Sequence, residues 1–415
     1  MSSATNNNRL RNITLLLTST MTVMSGATIA PALPDMQTHF QHLENADFLV
    51  KLILTIPAIF IAIFAPLVGW LLDHWKKKPV IILSVILYGV AGTSSYIFTD
   101  SLYAILVGRA LLGIAVAGIM TSCTTLASDY FAATQLNKFM GLQAAFGGYG
   151  GVLFLLLGGV LADVNWTTPF LIYLTAFCIL PAIIIYLYEP STTGNSSPPN
   201  VSNQPSQDNT MPTANRFIIL CFFLAVAEVL VLYMVPTHFP FYLAAIEPVS
   251  NTQTGIAIAT MLLTMSTVSI GYQKAKHYFS FTQLHGLGLL LLGGGFLLLS
   301  NMNSYTEAYY GLIISGIGLG LVRPNLMVWL MSSIPPHSKG KIIGGISSCF
   351  FIGQFLSPLL TEPLVKAVDF AQAFQVIGLV IITLALLFVS YSGIQYVTHS
   401  KSKDNKLDNS RLAEK

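Results

Sequence analysis

Three charged residues of this 415-residue chain lie inside long apolar runs, and their types could carry proton or ion chemistry: Arg109, Glu228 and Arg323. A charge near the centre of an apolar membrane segment costs at least ~2.5–3.5 kcal/mol on insertion scales, so such side chains face a cavity or a partner. Burial favours a neutral carboxyl group, whereas a nearby arginine favours the ionised one. We therefore predict that Glu228 binds a proton or a cation. The alternative is a static ion pair of Glu228 with Arg323 or Arg109.

The elements that must position these charges are membrane helices. The chain is 53% hydrophobic and 9% charged, whereas soluble domains carry about 25% charged residues. A membrane span needs roughly 20 apolar residues, and the backbone polar groups of a single span find internal partners only in a helix. We predict an all-α membrane protein with twelve spans, at 13–34, 48–72, 79–98, 102–126, 139–161, 168–188, 216–243, 253–272, 282–300, 307–331, 342–361 and 371–396.

The basic residues are distributed unevenly along these spans. Sixteen of the twenty Lys and Arg residues fall in alternate gaps or in the tails, whereas the other gaps hold only Lys51 and Lys366 and carry acids such as Asp35. Cytoplasmic loops are enriched in Lys and Arg, so we expect a multi-pass protein of the cell inner membrane with both termini in the cytoplasm. The net charge of +3 comes mostly from these loops and the tail, and it indicates topology and not nucleic-acid binding.

One polar segment rich in Ser, Asn, Pro and Thr divides the chain. We predict a flexible linker at 189–215, six-helix bundles at 13–188 and 216–396, and tails at 1–12 and 397–415. A shift of 203 residues superposes four pairs of glycines and one pair of lysines, for example Gly108 on Gly311 and Lys138 on Lys341. The two bundles are then related by an axis along the membrane normal, with a binding site near the midplane between them.

The loop between spans two and three has a recognisable pattern, GWLLDHWKKK at 69–78. It resembles the loop signature of the major facilitator superfamily, although His74 and Lys76 depart from the usual Arg and Gly. The alternative is an ordinary positively charged cytoplasmic loop. The resemblance implies a latch between conformations formed by Gly69, Asp73, Lys77 and Lys78.

Three further patterns are similar to the twelve-span drug:proton antiporters of that superfamily. Span one ends in Pro-x-x-Pro followed by Asp35, and span four carries Arg109 four residues before Gly113. Span five has glycines at the spacing of the antiporter motif, although Phe154 and Leu155 replace its central Gly-Pro. Close helix packing is the alternative explanation for such small residues. The motif glycines are Gly141, Gly150, Gly158 and Gly159.

The resemblance covers residues 10–398 and implies roles for several side chains. Spans one, four, seven and ten line the central cavity in the family, and the three deep charges all map to these spans. Glu228 is similar to the seventh-helix Glu of Gram-positive quinolone and multidrug exporters. Proton coupling is implied for Glu228, Arg109 and Asp35, although Arg109 could instead bond carbonyls statically and Asp35 could be an ordinary interfacial acid. Substrate contacts are implied for Glu228, Arg323, Met24, Phe146, Tyr149, Tyr233, Met327 and Trp329, of which the apolar ones could equally be packing residues.

The resemblance implies a proton-coupled exporter of amphipathic organic compounds, including drugs, that works by alternating access. The alternative within transport is a carrier of one anionic metabolite or siderophore-like carboxylate, and outside transport a membrane scaffold or enzyme. The expected partners are a small-molecule substrate, protons and the lipid bilayer, and the expected state is a monomer. The sequence has no Gly-x4-Gly-Lys-Ser/Thr loop, and its four cysteines have unrelated spacings. We therefore expect no ATP-driven pump, no enzyme activity, no cofactor and no metal site.

Overall fold

The computed structural model describes residues 2–189, 211–334 and 339–390. Within these ranges the chain forms helices and no strand, and twelve helical spans are long and apolar enough to cross a membrane. The predicted all-α fold and number of spans are thereby confirmed. The spans, numbered one to twelve as above, are Ser2–Ala27 with Leu33–His39, Ala46–His74, Lys77–Ile97, Leu102–Tyr130, Ala133–Val164, Thr168–Leu174 with Thr175–Tyr186, Met211–Ile246, Asn251–Tyr278, Phe281–Ser300, Tyr305–Ser333, Lys339–Val368 and Phe370–Ser390.

Several helix ends differ from their predicted positions. The first helix begins at Ser2 and the seventh span at Met211, so parts of the expected tail at 1–12 and of the expected linker at 189–215 are helical. Span eleven continues past the predicted end at 361 to Val368, because a membrane helix tolerates Pro363 when its neighbours supply packing. The remaining linker residues 190–210 and the expected tail at 397–415 lie outside the described residues.

Span one is broken where its prolines begin. Its first helix ends at Ala27, a 3-10 turn covers Ala30–Ala32, and the chain resumes as the helix Leu33–His39. A proline has no backbone N–H and cannot continue the bonding of a preceding helix. The break is buried, and it leaves carbonyl groups of span one without their usual helical partners.

Polar contacts gather the helix ends into two faces. On one of them, the basic face, Lys77 forms an ion pair with Asp129, and the backbone N–H groups of Lys77 and Lys78 donate to Glu189 at 2.8 and 3.0 Å. On the other, the acidic face, lie the chain segments around Asp35, 98–101, 163–167, 247–251, 301–305 and 368–370. The alternation of charge along the sequence thus becomes a separation of charge across the bundle.

The two halves of the protein are bonded to each other at the acidic face. The side chain of Asn251 donates to Asp35 at 2.7 Å, and its backbone N–H donates to Asp163 at 2.7 Å. Lys51 in the N-terminal half forms an ion pair with Glu362 in the C-terminal half. Together with contacts of Thr252 to Asp163, these are all the hydrogen bonds and ion pairs between the halves in the part of the chain that the structure describes.

Near the basic face the described residues form no hydrogen bond or ion pair between the halves. A Cβ atom built on Gly141, Gly271 or Gly344, which lie near the basic-face ends of spans five, eight and eleven, would meet nothing within 4 Å. A Cβ on Gly159, near the acidic face, would lie 2.6 Å from the carbonyl oxygen of Asn251 in the other half. The hydrogen bonds, the ion pair and this close backbone contact between the halves therefore lie at the acidic face, whereas the three glycine positions near the basic face have no close neighbour.

Candidate functional site

Glu228 lies midway along span seven, and its residue is only 5% exposed. Both of its carboxyl oxygens are buried and accept no hydrogen bond from any residue that the structure describes. The facing cation is Arg323, whose Nε atom lies 4.0 Å from Oε1 of Glu228. This distance is too long for a hydrogen bond. Glu228 therefore combines an adjacent positive charge with the absence of direct bonding, which is an expensive environment for an ionised carboxyl group.

Arg323 is positioned by a break in the bonding of span ten. The next residue, Pro324, has no N–H to donate to the carbonyl of Gly320, and the Ser269 hydroxyl of span eight lies 3.1 Å from that carbonyl and 2.8 Å from the carbonyl of Met265, so its one proton is shared between them. The guanidinium carbon of Arg323 lies 4.9 Å from the centre of the Phe350 ring in span eleven, a cation–π distance. The side chain is 38% exposed. A cation exposed in mid-span faces a water-filled gap and not hydrocarbon, so the surroundings of Glu228 are accessible to solutes.

Arg109 is fully buried and has a different role from Arg323. Its Nε atom donates to the carbonyl of Ile53 at 2.8 Å, and one Nη atom donates to the Tyr173 hydroxyl at 2.7 Å. The Ile53 carbonyl is free because Pro57, four residues later, has no N–H. The other Nη atom donates to the carbonyl of Ser25, next to the break in span one. Arg109 thus ties spans one, two, four and six together by bonding carbonyls, and the structure does not bring it to Glu228.

Asp35 also lies apart from Glu228. It is exposed at the acidic face, where it accepts the hydrogen bond from Asn251 of the other half. Among the three residues for which proton coupling was predicted, the structure therefore places only Glu228 beside a partly exposed cation in mid-span.

Two of the predicted substrate contacts lie near the Glu228–Arg323 site. Met327 follows Arg323 by four residues, which places both on the same side of span ten. The hydroxyl oxygen of Tyr233 lies 3.5 Å from where a Cβ on Gly26 of span one would be, at the boundary between the halves. Glu228, Arg323, Tyr233 and Met327 therefore form the candidate site.

Two other predicted contacts are packed elsewhere. Met24 is buried in the main apolar core, and in this conformation it lines no open space. The Trp329 ring lies 5.1 Å from the Phe217 ring and 6.0 Å from the Phe281 ring, measured between centroids. Trp329 therefore packs between spans seven and nine. Sequence could not separate these positions, because aromatic and Met side chains fill membrane-helix interfaces as readily as cavities.

Phe146 and Tyr149 do not lie on the face of span five that contacts span one. On the same helix, Gly147 and Gly151 face Val23 of span one. Each residue advances a helix by about 100°. The side chains of Phe146 and Tyr149 therefore point at least about 100° away from the directions of Gly147 and Gly151. Both side chains are exposed. Their role in binding substrate stays a prediction.

The residues of the predicted latch make contacts within the N-terminal half. Lys77 pairs with Asp129 of span four, and Lys78 donates to the carbonyl of Ile184 at 2.6 Å. Asp73 is exposed and forms no ion pair with any described residue. Gly69 has ordinary van der Waals space, since a Cβ there would lie 3.9 Å from Thr121. The loop thus joins spans three, four and six in this conformation, without a contribution from Asp73.

The motif glycines of span five divide into two pairs. A Cβ on Gly158 would overlap the carbonyl oxygen of Thr28 at the break in span one, and Gly159 contacts the other half as described above. Gly150 has 3.7 Å to Thr20, and Gly141 has no neighbour within 4 Å. Close packing therefore requires the two glycines nearest the acidic face, and it does not require the other two.

A second buried acid was missed by the sequence analysis, which assigned it to a gap between spans. Glu362 is 4% exposed and pairs with Lys51, which is 3% exposed. His238 of span seven and Lys366 lie beside it, with ring Nδ1 and Nζ at 3.8 and 3.7 Å from its oxygens. Two signals were available: Lys51 lay inside predicted span 48–72, and Glu362 followed span eleven directly and is succeeded by further apolar residues.

Comparison with known proteins identifies the family. The model of the Major Facilitator Superfamily matches residues 15–358. The chain is 25% identical to the bacillibactin exporter of Bacillus subtilis, with 84% of this chain and 88% of that protein covered. It is also 25% identical to multidrug resistance protein 1 of Bacillus subtilis, covering 84% of this chain and 89% of that one.

The fold matches solved structures of transporters as well. One is a bacterial homologue of the human lysosomal transporter Spinster, with a TM-score of 0.73 at 17% identity over 92% of this chain and 96% of that one. The family match spans most of the chain, and the twelve helical spans in two halves agree with it. The chain is therefore a multi-pass membrane transporter and belongs to the Major Facilitator Superfamily.

Proposed function

We propose that this protein is a proton-coupled exporter of amphipathic organic compounds, including drugs, and that Glu228 binds the coupling proton. The observation that carries the proposal is a buried carboxyl group without a hydrogen-bond donor beside a partly exposed arginine. Leaving such a carboxylate ionised in an apolar span is costly, and taking up a proton removes the charge. A change in the distance to Arg323 would then control when the proton is held.

The arrangement of the halves supports a cycle of alternating access. The basic face carries the Lys and Arg residues that are typical of cytoplasmic loops, so we propose that it faces the cytoplasm and that the membrane is the cell inner membrane. In the conformation described, the gap at Arg323 is then open to the cytoplasm and the acidic face is closed. Substrate binds beside ionised Glu228 from the cytoplasm, and after the halves reorient a proton from outside takes its place.

The residues around the site favour a broad range of apolar ligands. Tyr233 and Met327 present a ring and a flexible thioether, and Met side chains adapt to ligands of different shapes. Two relatives are named as a bacillibactin exporter and as a multidrug resistance protein, which supports export of organic molecules as the direction and substrate class. We propose that the protein works as a monomer, since each chain contains both halves and the gap between them.

A second candidate is a carrier dedicated to one anionic metabolite or siderophore-like carboxylate. The observation that favours it is the exposure of Arg323, since in this site the cation, and not the acid, is the accessible charge. The similarity to the bacillibactin exporter points the same way. In this reading Arg323 binds the substrate anion, and Glu228 balances its charge between substrates.

The experiment uses purified protein in liposomes that contain a pH-sensitive dye. Lipophilic cations and organic carboxylates are added singly to wild type, Glu228→Gln and Arg323→Ala, with Glu44→Gln as the matched control because Glu44 is an exposed acid in a loop. Proton movement evoked by cations, lost in Glu228→Gln and retained in Glu44→Gln, is the expected result. Movement evoked only by carboxylates, retained in Glu228→Gln and lost in Arg323→Ala, would replace the first proposal with the second.

A further inference from the structure

A cluster of buried charged groups links the two halves away from the Glu228–Arg323 site. Lys51 of span two and Glu362 of span eleven form an ion pair in which both side chains are almost completely buried. The Lys51 ammonium also lies 4.8 Å from the centre of the Phe241 ring and 5.8 Å from that of Phe370. A buried ion pair holds two charges out of water, and separating its partners is costly. This pair therefore stabilises the contact between the halves at the acidic face.

The tautomer of neutral His238 follows from its hydrogen bonds. Its Nε2 atom lies 2.6 Å from the hydroxyl oxygen of Thr361, and that hydroxyl donates its own proton to the carbonyl of Ser357 at 2.6 Å. A hydroxyl has one proton, so Thr361 accepts from His238 and the ring hydrogen resides on Nε2. The Nδ1 atom then carries a lone pair, and it is buried without a hydrogen-bond partner among the described residues. It lies 3.8 Å from Oε2 of Glu362.

We propose that Nδ1 of His238 is a second proton-binding site, and that its protonation transfers Glu362 from Lys51 to His238. Lys51 belongs to the N-terminal half, whereas His238 and Glu362 both belong to the C-terminal half. The exchange replaces an ion pair between the halves by one within a single half, so it releases the contact at the acidic face. The proposal uses the proton coupling proposed above only to explain why such a release is useful.

The other charged and titratable groups around Glu362 do not make this exchange. Lys366 lies on the same helix, 3.7 Å from Oε1 of Glu362, and is half exposed. Asp47, one turn before Lys51, is bonded by Gln37 of span one. Asp369 accepts from the backbone of Gln372, and the Tyr242 hydroxyl donates to the carbonyl of Ser300 at 3.4 Å. Among these groups only His238 combines a free proton-accepting atom with a position facing Glu362.

Thermodynamic linkage between proton binding at His238 and the separation of the halves gives the direction of the pH effect. With Lys51 in place, a proton on His238 adds a second positive charge beside the first, and the two repel each other. When Lys51 has left, the protonated ring is the remaining buried partner of Glu362. The proton therefore binds more tightly when the halves are apart at the acidic face, and by reciprocity acid pH favours that separation.

The test measures the distance between the halves at the acidic face in the absence of substrate. Spin labels are attached to Asp100→Cys, in an acidic-face loop, and to Thr306→Cys, in the first turn of span ten, after Cys178 and Cys349 are replaced by Ser; both labelled positions are exposed and belong to opposite halves. In the full chain in lipid nanodiscs, we expect the separated population to rise by a factor of about 5 or more between about pH 8 and pH 5, the interval in which histidine changes charge.

Variants assign the response to His238. His238→Gln retains an N–H donor for Thr361 but cannot become charged, and we expect it to abolish the pH response. Glu362→Gln abolishes the response without altering His238, which keeps the test informative if His238→Gln folds poorly. Lys366→Met is the matched control and keeps the response.

The results also separate this proposal from the proposed function. A wild-type distance that is insensitive to pH, or a response that survives in His238→Gln or Glu362→Gln, overturns the second site. A pH response that is lost in Glu228→Gln and kept in His238→Gln assigns the proton to Glu228. That result also overturns the proposed second site at His238. Failure of the liposome experiment alone leaves the distance measurement unaffected, because no substrate is present.

Discussion

Two buried carboxyl groups of the C-terminal half occupy opposite environments. Glu362 is held by Lys51 from the other half and is surrounded by further polar groups at the acidic face. Glu228 accepts no hydrogen bond from the described residues and has Arg323 at 4.0 Å, beside the open part of the gap. Both carboxyl groups are buried, but only Glu362 is paired with a residue of the other half.

The difference shows how one bundle can separate mechanical and chemical roles. A carboxylate paired across an interface holds two bodies together, so changing its partner changes the conformation. A carboxyl group without direct bonds beside an accessible cation can change protonation without opening any contact. The proposed exporter would use both: Glu228 to carry the proton with substrate exchange, and the Lys51–Glu362 pair to control access at the acidic face.

The largest expected effect is from removing the buried partner of Glu362. Lys51→Met leaves a carboxylate without its principal counter-ion, and breaking a buried pair in this way costs about 3–5 kcal/mol. The measurement is thermal unfolding of the purified protein in detergent. The double variant Lys51→Met/Glu362→Gln should recover most of the loss, because no unpaired charge remains. If Lys51→Met alone is as stable as wild type, the ion pair of Glu362 does not stabilise the protein, and the contrast between Glu362 and Glu228 does not hold.

The next effect concerns the packing of span five against span one near the acidic face. Gly158→Ala places a Cβ onto the carbonyl oxygen of Thr28, and overpacking of this kind costs about 1–3 kcal/mol. Gly141→Ala, in the same helix and motif, meets no neighbour, and it should be neutral or stabilising because Ala favours helix by about 1 kcal/mol over Gly. Thermal unfolding of the two variants side by side tests the difference. Equal losses would mean that span five also packs closely around Gly141.

The smallest effect on stability is expected at the Glu228 site. Arg323→Gln removes a partly exposed cation that makes no hydrogen bond to Glu228, and the buried Glu228 can become neutral by taking up a proton, so we expect a loss of only about 0–1 kcal/mol, as for an exposed pair. Transport in liposomes should nevertheless fall, since Arg323 is the accessible charge of the candidate site. Lys366→Met serves as the control for removing a half-exposed cation near the other carboxyl group. A loss of stability comparable to that of Lys51→Met would make Glu228–Arg323 a structural pair.

Sequence reasoning succeeded where a property depends on composition along the chain. It predicted twelve spans and the all-α fold, because hydrocarbon requires long apolar helices whatever their neighbours are; the superfamily came from the resemblance of the loop at 69–78 to the family's loop signature. It also singled out Glu228 and Arg323 as charges inside apolar runs, which the linear sequence shows directly, and their roles stay predictions. It did not determine which aromatic and Met side chains reach the gap: Tyr233 lies at the boundary of the halves, whereas Trp329 packs between spans seven and nine.

What only the tertiary structure decided are the partners of the buried charges. Arg109 bonds carbonyls that Pro57 and the break in span one leave free, and this depends on how three helices are packed around span four. Lys51 and Glu362 are separated by 311 residues, and nothing local specifies that they meet. The physical reason is that apolar periodicity determines where helices form, whereas a charge finds its partner only when helices from different parts of the chain are brought side by side.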